Sequence, residues 1–189
     1  MYYFLIAQLP YLNYGEAPPI SSAAFKELCR GYLLPGHFKL LRHCVCGMPE
    51  GANRTEKFRA VDSAFIKKWR KRERTLTLAL AQSRAARLKT EAPPAEHWDT
   101  DAENQAKAAA SMDNPLEAEL FLDKGRWDAV EQLRQNAYFS VNAVYAYMLK
   151  LLLIERRAAF NTEKGFAEYK ALYASIMEKA PGIGATGDS

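Results

Sequence analysis

Residues 126–160 decide the fold, and they read RWDAVEQLRQNAYFSVNAVYAYMLKLLLIERRAAF. The apolar side chains in this stretch recur every three or four residues, which is the spacing of one side of an α-helix. They are Val130, Leu133, Ala137, Val141, Val144, Met148, Leu151 and Leu152. Apolar coverage this wide is typical of a helix that other helices surround. We therefore predict one long helix from about Arg126 to Phe160, at the centre of an all-α bundle of long and short helices.

The longest apolar run within this helix, Ala137–Ile154, has about the length of a membrane span. Asn142 and Lys150 interrupt the run, and a charged side chain inside a bilayer costs several kilocalories per mole. We therefore expect a buried core helix and no direct membrane insertion.

A second long helix is predicted from about Thr55 to Lys89. Asn53-Arg54-Thr55-Glu56 fits a capping box, in which Asn and Glu side chains bond to free amides of the first turn. One face of this helix is apolar and carries Phe58, Val61, Phe65, Trp69, Leu76 and Leu80. Because its apolar stripe matches that of the helix from Arg126, we expect the two helices to pack together.

The N-terminal third is predicted to contain shorter elements. Residues 1–20 are expected to be irregular, with a short strand over Tyr2–Leu9, because prolines follow at positions 10, 18 and 19. Ser21 or Ser22 is expected to cap a helix that ends at Pro35-Gly36. A second short helix should then run through Phe38, Leu41 and Cys44.

The C-terminal half is predicted to begin with a linker over residues 90–113, which holds a weak Ala-rich helix at 101–110. Asn114-Pro115-Leu116-Glu117 marks a helix start, and Gly125 is expected to end that helix. The last helix should open at Asn161 or Thr162, with an apolar side formed by Phe166, Tyr169, Leu172, Tyr173 and Ile176. We expect a single helical domain over 1–180 and a flexible Gly-rich tail over 181–189.

The charges are segregated along the chain. Residues 54–89 hold twelve Lys or Arg and three acids, a net charge of +9, whereas residues 91–131 hold eleven acids and three bases, a net charge of −8. Such a chain either folds back on itself or docks between two charged partners.

The densest basic run is KKWRKRER at residues 67–74. Three interpretations remain open: a solvated helix face over a buried Trp69, a docking face for an acidic protein, and a phosphate-binding face for nucleic acid. The candidate partner-binding residues are Lys67, Lys68, Arg70, Lys71, Arg72 and Arg74.

Catalytic and metal-binding signatures are sparse. His43-Cys44-Val45-Cys46, with His37 and Cys29 nearby, suggests zinc, but a second ligand pair is missing. The three histidines lie in no recognisable catalytic motif. We therefore expect no catalytic residues, no cofactor, no metal, and three reduced cysteines. An odd cysteine count, and a start without the basic region of a signal peptide, predict a cytoplasmic protein.

Several blocks of the chain resemble an uncharacterised bacterial family whose members are encoded among the subunits of V/A-type rotary ATPases. The first block is the opening, YYFLIAQLPYL, followed by PPIS at 18–21 and Phe25. The others are FIKKW at 65–69 through RAA at 84–86, NPLEAE at 114–119, and RWD at 126–128 through Arg157. The resemblance covers most of residues 1–180.

That family is distantly similar to the central-stalk socket protein of these ATPases, a helical protein that sits on the membrane rotor ring and receives the central shaft. The helix over 142–157 and the residues at 161–165 resemble its helical lobes, although this chain is much shorter. The resemblance implies a non-catalytic accessory or central-stalk subunit that couples the shaft to the ring of a proton- or sodium-translocating ATPase. The implied partners are central-stalk subunits and the rotor ring, and the implied location is cytoplasmic, peripheral to the inner membrane. The alternative is a nucleic-acid-binding helical protein that uses residues 67–74.

Overall fold

A computed structural model describes residues 2–47, 63–94, 99–160 and 169–176. Within these ranges the secondary structure is helical and contains no strand, which confirms the all-α prediction. The helices are α1 (Tyr3–Gln8), α2 (Ser22–Tyr32), α3 (Pro35–Leu41), α4 (Ala64–Leu88), α5 (Thr100–Ala110), α6 (Pro115–Arg134) and α7 (Val141–Ala158). Residues 169–176 are also helical.

The chain divides into two compact units, Met1–Arg157 and Ala158–Ser189. The larger core of the first unit is built around α7, which buries half of its residues. The core also takes side chains from α1, α2 and α4, such as Leu5, Phe25 and Trp69. Each large apolar side chain buried in this way stabilises the fold by roughly 1.5–3 kcal/mol. As the wide apolar pattern predicts, the segment after residue 140 is the centre of the bundle.

A smaller core lies between α4, α5 and α6. Leu76 and Ala79 of α4 meet the buried alanines of α5, and Leu122 of α6 completes the cluster. The small alanine side chains let α5 approach α4 closely. The weak Ala-rich helix expected at 101–110 is thus a packed element, Thr100–Ala110, capped by the side chain of Asp99.

The N-terminal prediction was wrong, because residues 3–8 form helix α1 instead of a strand. Leu5 is buried, and Tyr2, Ile6 and Leu9 pack against the same core. Their spacing of three and four residues fits a helix lying on a core surface. Contact with that surface therefore outweighs the strand preference of the aromatic residues.

The predicted single helix from Arg126 to Phe160 is also wrong. Helix α6 ends at Arg134, and Gln135 turns the chain with φ 49° and ψ −133°. Helix α7 begins at Val141, where the Ser140 hydroxyl accepts a hydrogen bond from the Asn142 amide at 3.2 Å. The apolar spacing continues through Ala137 and hides this break.

The prediction that Gly125 ends a helix is wrong. It lies inside α6, which starts at the predicted site, Asn114, whose side chain caps the Leu116 amide. Gly125 leaves space for Gln105, and a Cβ added at this glycine would lie 1.5 Å from Gln105 Nε2. Close helix packing therefore explains this glycine.

Helix α4 does not run unbroken from Thr55, because it begins at Ala64 after an extended Ser63 that caps the Ile66 amide. The capping box at 53–56 lies outside the described residues. Helices α4 and α6 contact each other, as their apolar stripes predict. In the described part of the chain, no helix is both long and apolar enough to cross a bilayer.

The remaining boundaries differ by a few residues. Helix α2 is capped by Ser21 as predicted, but it ends at Tyr32, and Pro35 opens α3. Proline suits the first turn of a helix, where its missing N–H would have no partner. The predicted start of the last helix at 161–162, Phe166, and the tail at 181–189 lie outside the described residues.

Candidate functional site

The six basic residues predicted to bind a partner do not share one surface. Lys67, Lys68 and Lys71 are exposed on α4. Arg70 is half-buried and contacts His43 Nδ1, which ties α4 to the segment after α3. Arg74 is half-buried. We call Lys67, Lys68 and Lys71 the lysine face.

Arg72 points into the protein and is only 8 % exposed. Its guanidinium donates to Gln105 Oε1 at 2.8 Å and pairs with the Asp99 carboxylate at 3.3 Å. It thereby joins α4 to the start of α5. The sequence held a signal for this placement, because Arg72 is three residues after Trp69 and four before Leu76, on the core face of the helix.

A buried chain of alternating charges fixes α4 against α6. The Arg126 guanidinium donates to Glu73 at 3.0 Å and to Asp123 at 2.7 Å, and all three side chains are almost fully buried. Glu73 also accepts the Gly47 amide at 2.8 Å. Burial by itself lowers the pKa of Arg126, but the charges of Glu73 and Asp123 together raise it above its ordinary value. The arginine therefore stays charged inside the protein.

The oppositely charged segments of the chain pair with each other in part. Helix α4 from the basic segment packs along α5 from the acidic segment. Arg72 bonds to Asp99 across this contact. The Glu73–Arg126 pair also joins the two segments, but it links an acid of the basic segment to a base of the acidic one. The chain thus folds back on itself, and the three side chains of the lysine face are exposed on α4.

The His43–Cys46 cluster is packed against α4, and its environment does not favour metal binding. Trp69 donates its indole N–H to the Val45 carbonyl at 2.8 Å, which holds this segment on α4. Burial raises the pKa of the Cys44 thiol, and burial with the nearby charge of Arg70 lowers the pKa of His43. A thiol that stays protonated is a poor nucleophile and metal ligand. No group of three His, Cys, Asp or Glu side chains suited to a metal occurs among the described residues, and all three cysteines are free thiols.

A groove and an aromatic patch were not anticipated from the sequence. The groove has a volume of about 250 Å³ and runs between the segment after α1 and helices α6 and α7. The patch consists of Tyr3, Phe4 and Phe139, each at least half exposed, with the Tyr3 and Phe139 rings 5.1 Å apart. The aromatic run at positions 2–4 was a signal, but only the turn between α6 and α7 brings Phe139 to it.

One family model matches the chain, that of a protein family of unknown function, DUF2764, over residues 107–179. This range contains the whole of α6 and α7. No curated protein and no solved structure matches the chain.

Proposed function

We propose that this chain is a non-catalytic accessory or central-stalk subunit of a V/A-type ion-translocating ATPase, peripheral to the membrane on the cytoplasmic side. The proposal starts from the resemblance of its sequence blocks to the family encoded with those ATPases. The observation that carries it is the lysine face on α4. The opposite side of this helix is fixed to the core by the ion pairs Arg72–Asp99 and Glu73–Arg126. Lys67, Lys68 and Lys71 offer positive charge on such a helix.

A subunit that passes force between a shaft and a ring must resist deformation where it docks. Helix α4 meets that need because Trp69, Arg72 and Glu73 fix it along its inner side. Breaking a buried ion pair by removing one partner costs about 3–5 kcal/mol. Displacing the lysine face would therefore require breaking buried contacts of α4, which would destabilise the fold.

The same geometry disfavours nucleic acid as the partner. Aromatic side chains that bind single strands stack on bases and must be exposed. Trp69, the aromatic residue of the basic run, is fully buried and donates its N–H to Val45. Arg72 is occupied by Asp99 and Gln105. The exposed positive charge of α4 is therefore smaller than the six basic residues of the run suggest. We infer that the remaining lysine face suits an acidic protein surface.

The test is a pull-down from extracts of the native organism, with retained ATPase subunits identified by mass spectrometry. The variant Lys67→Glu/Lys68→Glu/Lys71→Glu reverses the lysine face without touching Arg72. The matched control, Lys26→Glu/Lys39→Glu/Lys107→Glu, makes the same charge change at exposed lysines on α2, α3 and α5. Exposed charges steer association and set its salt dependence.

We expect the unmodified chain and the control to retain central-stalk subunits, and the lysine-face variant to bind them more slowly and with a flatter salt dependence. Failure of the unmodified chain to retain any ATPase subunit would refute the assignment. Equal retention by both variants would keep the assignment and reject the lysine face as the docking site. Salt-sensitive binding of nucleic acid that the lysine-face variant loses would instead favour the alternative function.

A further inference from the structure

The groove next to α7 has one apolar wall that the N-terminal segment provides. Leu9, Pro10 and Leu12 line this wall, and the Tyr147 hydroxyl donates to the Pro10 carbonyl at 3.0 Å. That hydrogen bond holds the segment at a fixed distance from α7. The groove is therefore built by side chains of the folded core.

Helices α6 and α7 contribute charged side chains to the groove lining, and these carry a net positive charge. Its charged lining residues are Glu131, Arg134 and Lys150, one acid against two bases. Lys150 contacts the Glu131 carboxylate, and Arg134 donates to the same carboxylate at 2.8 Å. One carboxylate thus serves two cations, so half of the positive charge has no matching negative charge in the groove lining.

Arg134 also holds a donor without an acceptor. Its Nε is buried and makes no hydrogen bond, while its guanidinium lies over the Tyr138 ring at 4.7 Å. An unmet buried donor costs about 1–3 kcal/mol, and more for a charged group.

The rim of the groove is aromatic and continues into the aromatic patch. Tyr11 is 84 % exposed and Tyr138 is half exposed, and both line the groove. Phe139 follows Tyr138 and packs on Tyr3. Exposed aromatic residues beside an arginine are typical of the centre of a protein interface. A free small acid would fill the groove and leave this patch uncovered.

We propose that the groove binds a peptide segment of a partner protein in which an apolar side chain is followed by a carboxylate. The apolar side chain lies against the wall that residues 9–12 form, with Tyr11 at its rim, and the carboxylate meets Arg134 and Lys150. The rest of the segment covers the aromatic patch. This inference does not depend on the ATPase assignment, because it follows from the groove alone.

The test selects peptides from a displayed random library on the full-length chain, at physiological salt. Synthetic copies of the selected peptides are then measured by fluorescence polarisation against the protein and its variants. Arg134→Gln removes the charge, and Tyr11→Ala removes the exposed rim. The matched controls are Lys107→Gln, a charge loss on α5, and Leu88→Ala, an apolar truncation at the end of α4, where Leu88 is 73 % exposed.

We expect selected peptides to share an acidic residue next to an aromatic or aliphatic one. Arg134→Gln and Tyr11→Ala should each weaken binding about tenfold, the controls should leave it within about twofold, and a Glu-to-Gln change in the peptide should match the Arg134→Gln loss. Thermal melting checks that each variant folds. If Arg134→Gln does not fold, Tyr11→Ala still tests the groove. The proposal is overturned if no peptide is selected, if the selected peptides lack a carboxylate, or if the folded groove variants bind them as the controls do.

Discussion

Gly125 and Gly31 show how one residue type has opposite effects in two helices. Gly125 faces Gln105, whose side-chain amide is buried and donates to the carbonyls of Phe121 and Leu122 at 3.3 and 3.2 Å. The Gln105 amide also accepts a hydrogen bond from Arg72. A methyl group at Gly125 would have to displace this amide from all three partners. Gly31 lies in α2 with no atom within 4 Å of an added Cβ.

We expect Gly125→Ala to lower the free energy of unfolding by about 1–3 kcal/mol because it overpacks this contact. Gly31→Ala should raise it by about 0.5–1 kcal/mol, since alanine favours a helix. Urea denaturation measures both. The double variant Gly125→Ala/Gln105→Ala should cost less than the sum of its single changes, and strict additivity would show that the clash does not exist.

Arg126 is the residue on which the buried charges of α4 and α6 depend. Arg126→Met leaves Glu73 without its charge partner and should lower the free energy of unfolding by about 3–5 kcal/mol. Arg30→Met breaks the Arg30–Glu27 pair, whose side chains are 66 % and 65 % exposed, and should cost about 0–1 kcal/mol. Similar losses in guanidinium denaturation for the two variants would contradict the buried network.

At the scale of the element, the turn between α6 and α7 is the least expected feature. Gln135 has a positive φ with ψ −133°, a region that glycine occupies without strain and other residues occupy at about 1–3 kcal/mol. We therefore expect Gln135→Gly to stabilise the protein by about 1 kcal/mol. Gln132→Gly, at an exposed position inside α6, should destabilise it by a similar amount. Destabilisation by Gln135→Gly in thermal melting would show that α6 continues past Arg134.

At the scale of the whole molecule, burial of the thiols lowers stability at alkaline pH, and the raised pKa values of Tyr145 and Tyr147 add to this loss above about pH 10. Burial raises the pKa of Cys29 and of Cys46 from 9.0 to about 12, and it raises that of Cys44 as well. Above pH 9 the unfolded chain loses thiol protons that the folded chain keeps, so stability falls by about 1.4 kcal/mol per pH unit for each thiol. Lys150 has the opposite effect between pH 8 and 10.5, because burial lowers its pKa from 10.5 to about 8.

We expect urea denaturation under reducing conditions to show a net loss of stability from about pH 9 to about pH 10.5. The triple variant Cys29→Ala/Cys44→Ala/Cys46→Ala should flatten this slope, and Lys150→Met should steepen it. The readout is the slope, so a constant packing cost of either variant does not affect the conclusion. An unchanged slope in the triple variant would show that the thiols ionise freely in the folded protein.

The sequence by itself determined the features that depend on local periodicity and capping. It predicted the all-α class, the central position of α7, and the starts of α2 and α6, because side-chain spacing and cap residues act within a few positions of the chain. It also identified the basic run of α4. The prediction grouped Arg72 with Lys71, although the spacing of Arg72 from Trp69 and Leu76 placed Arg72 on the core face of the helix.

The tertiary structure alone decided the rest, because contacts between distant residues have no signal in local spacing. Packing turned residues 3–8 into a helix and broke the long helix at Gln135, and it made α5 a packed element. It also paired Glu73 with Arg126, which are 53 positions apart. Both Tyr147 and Pro10 line the groove, where the Tyr147 hydroxyl donates to the Pro10 carbonyl 137 positions away, and a contact at that separation forms only once the chain has folded.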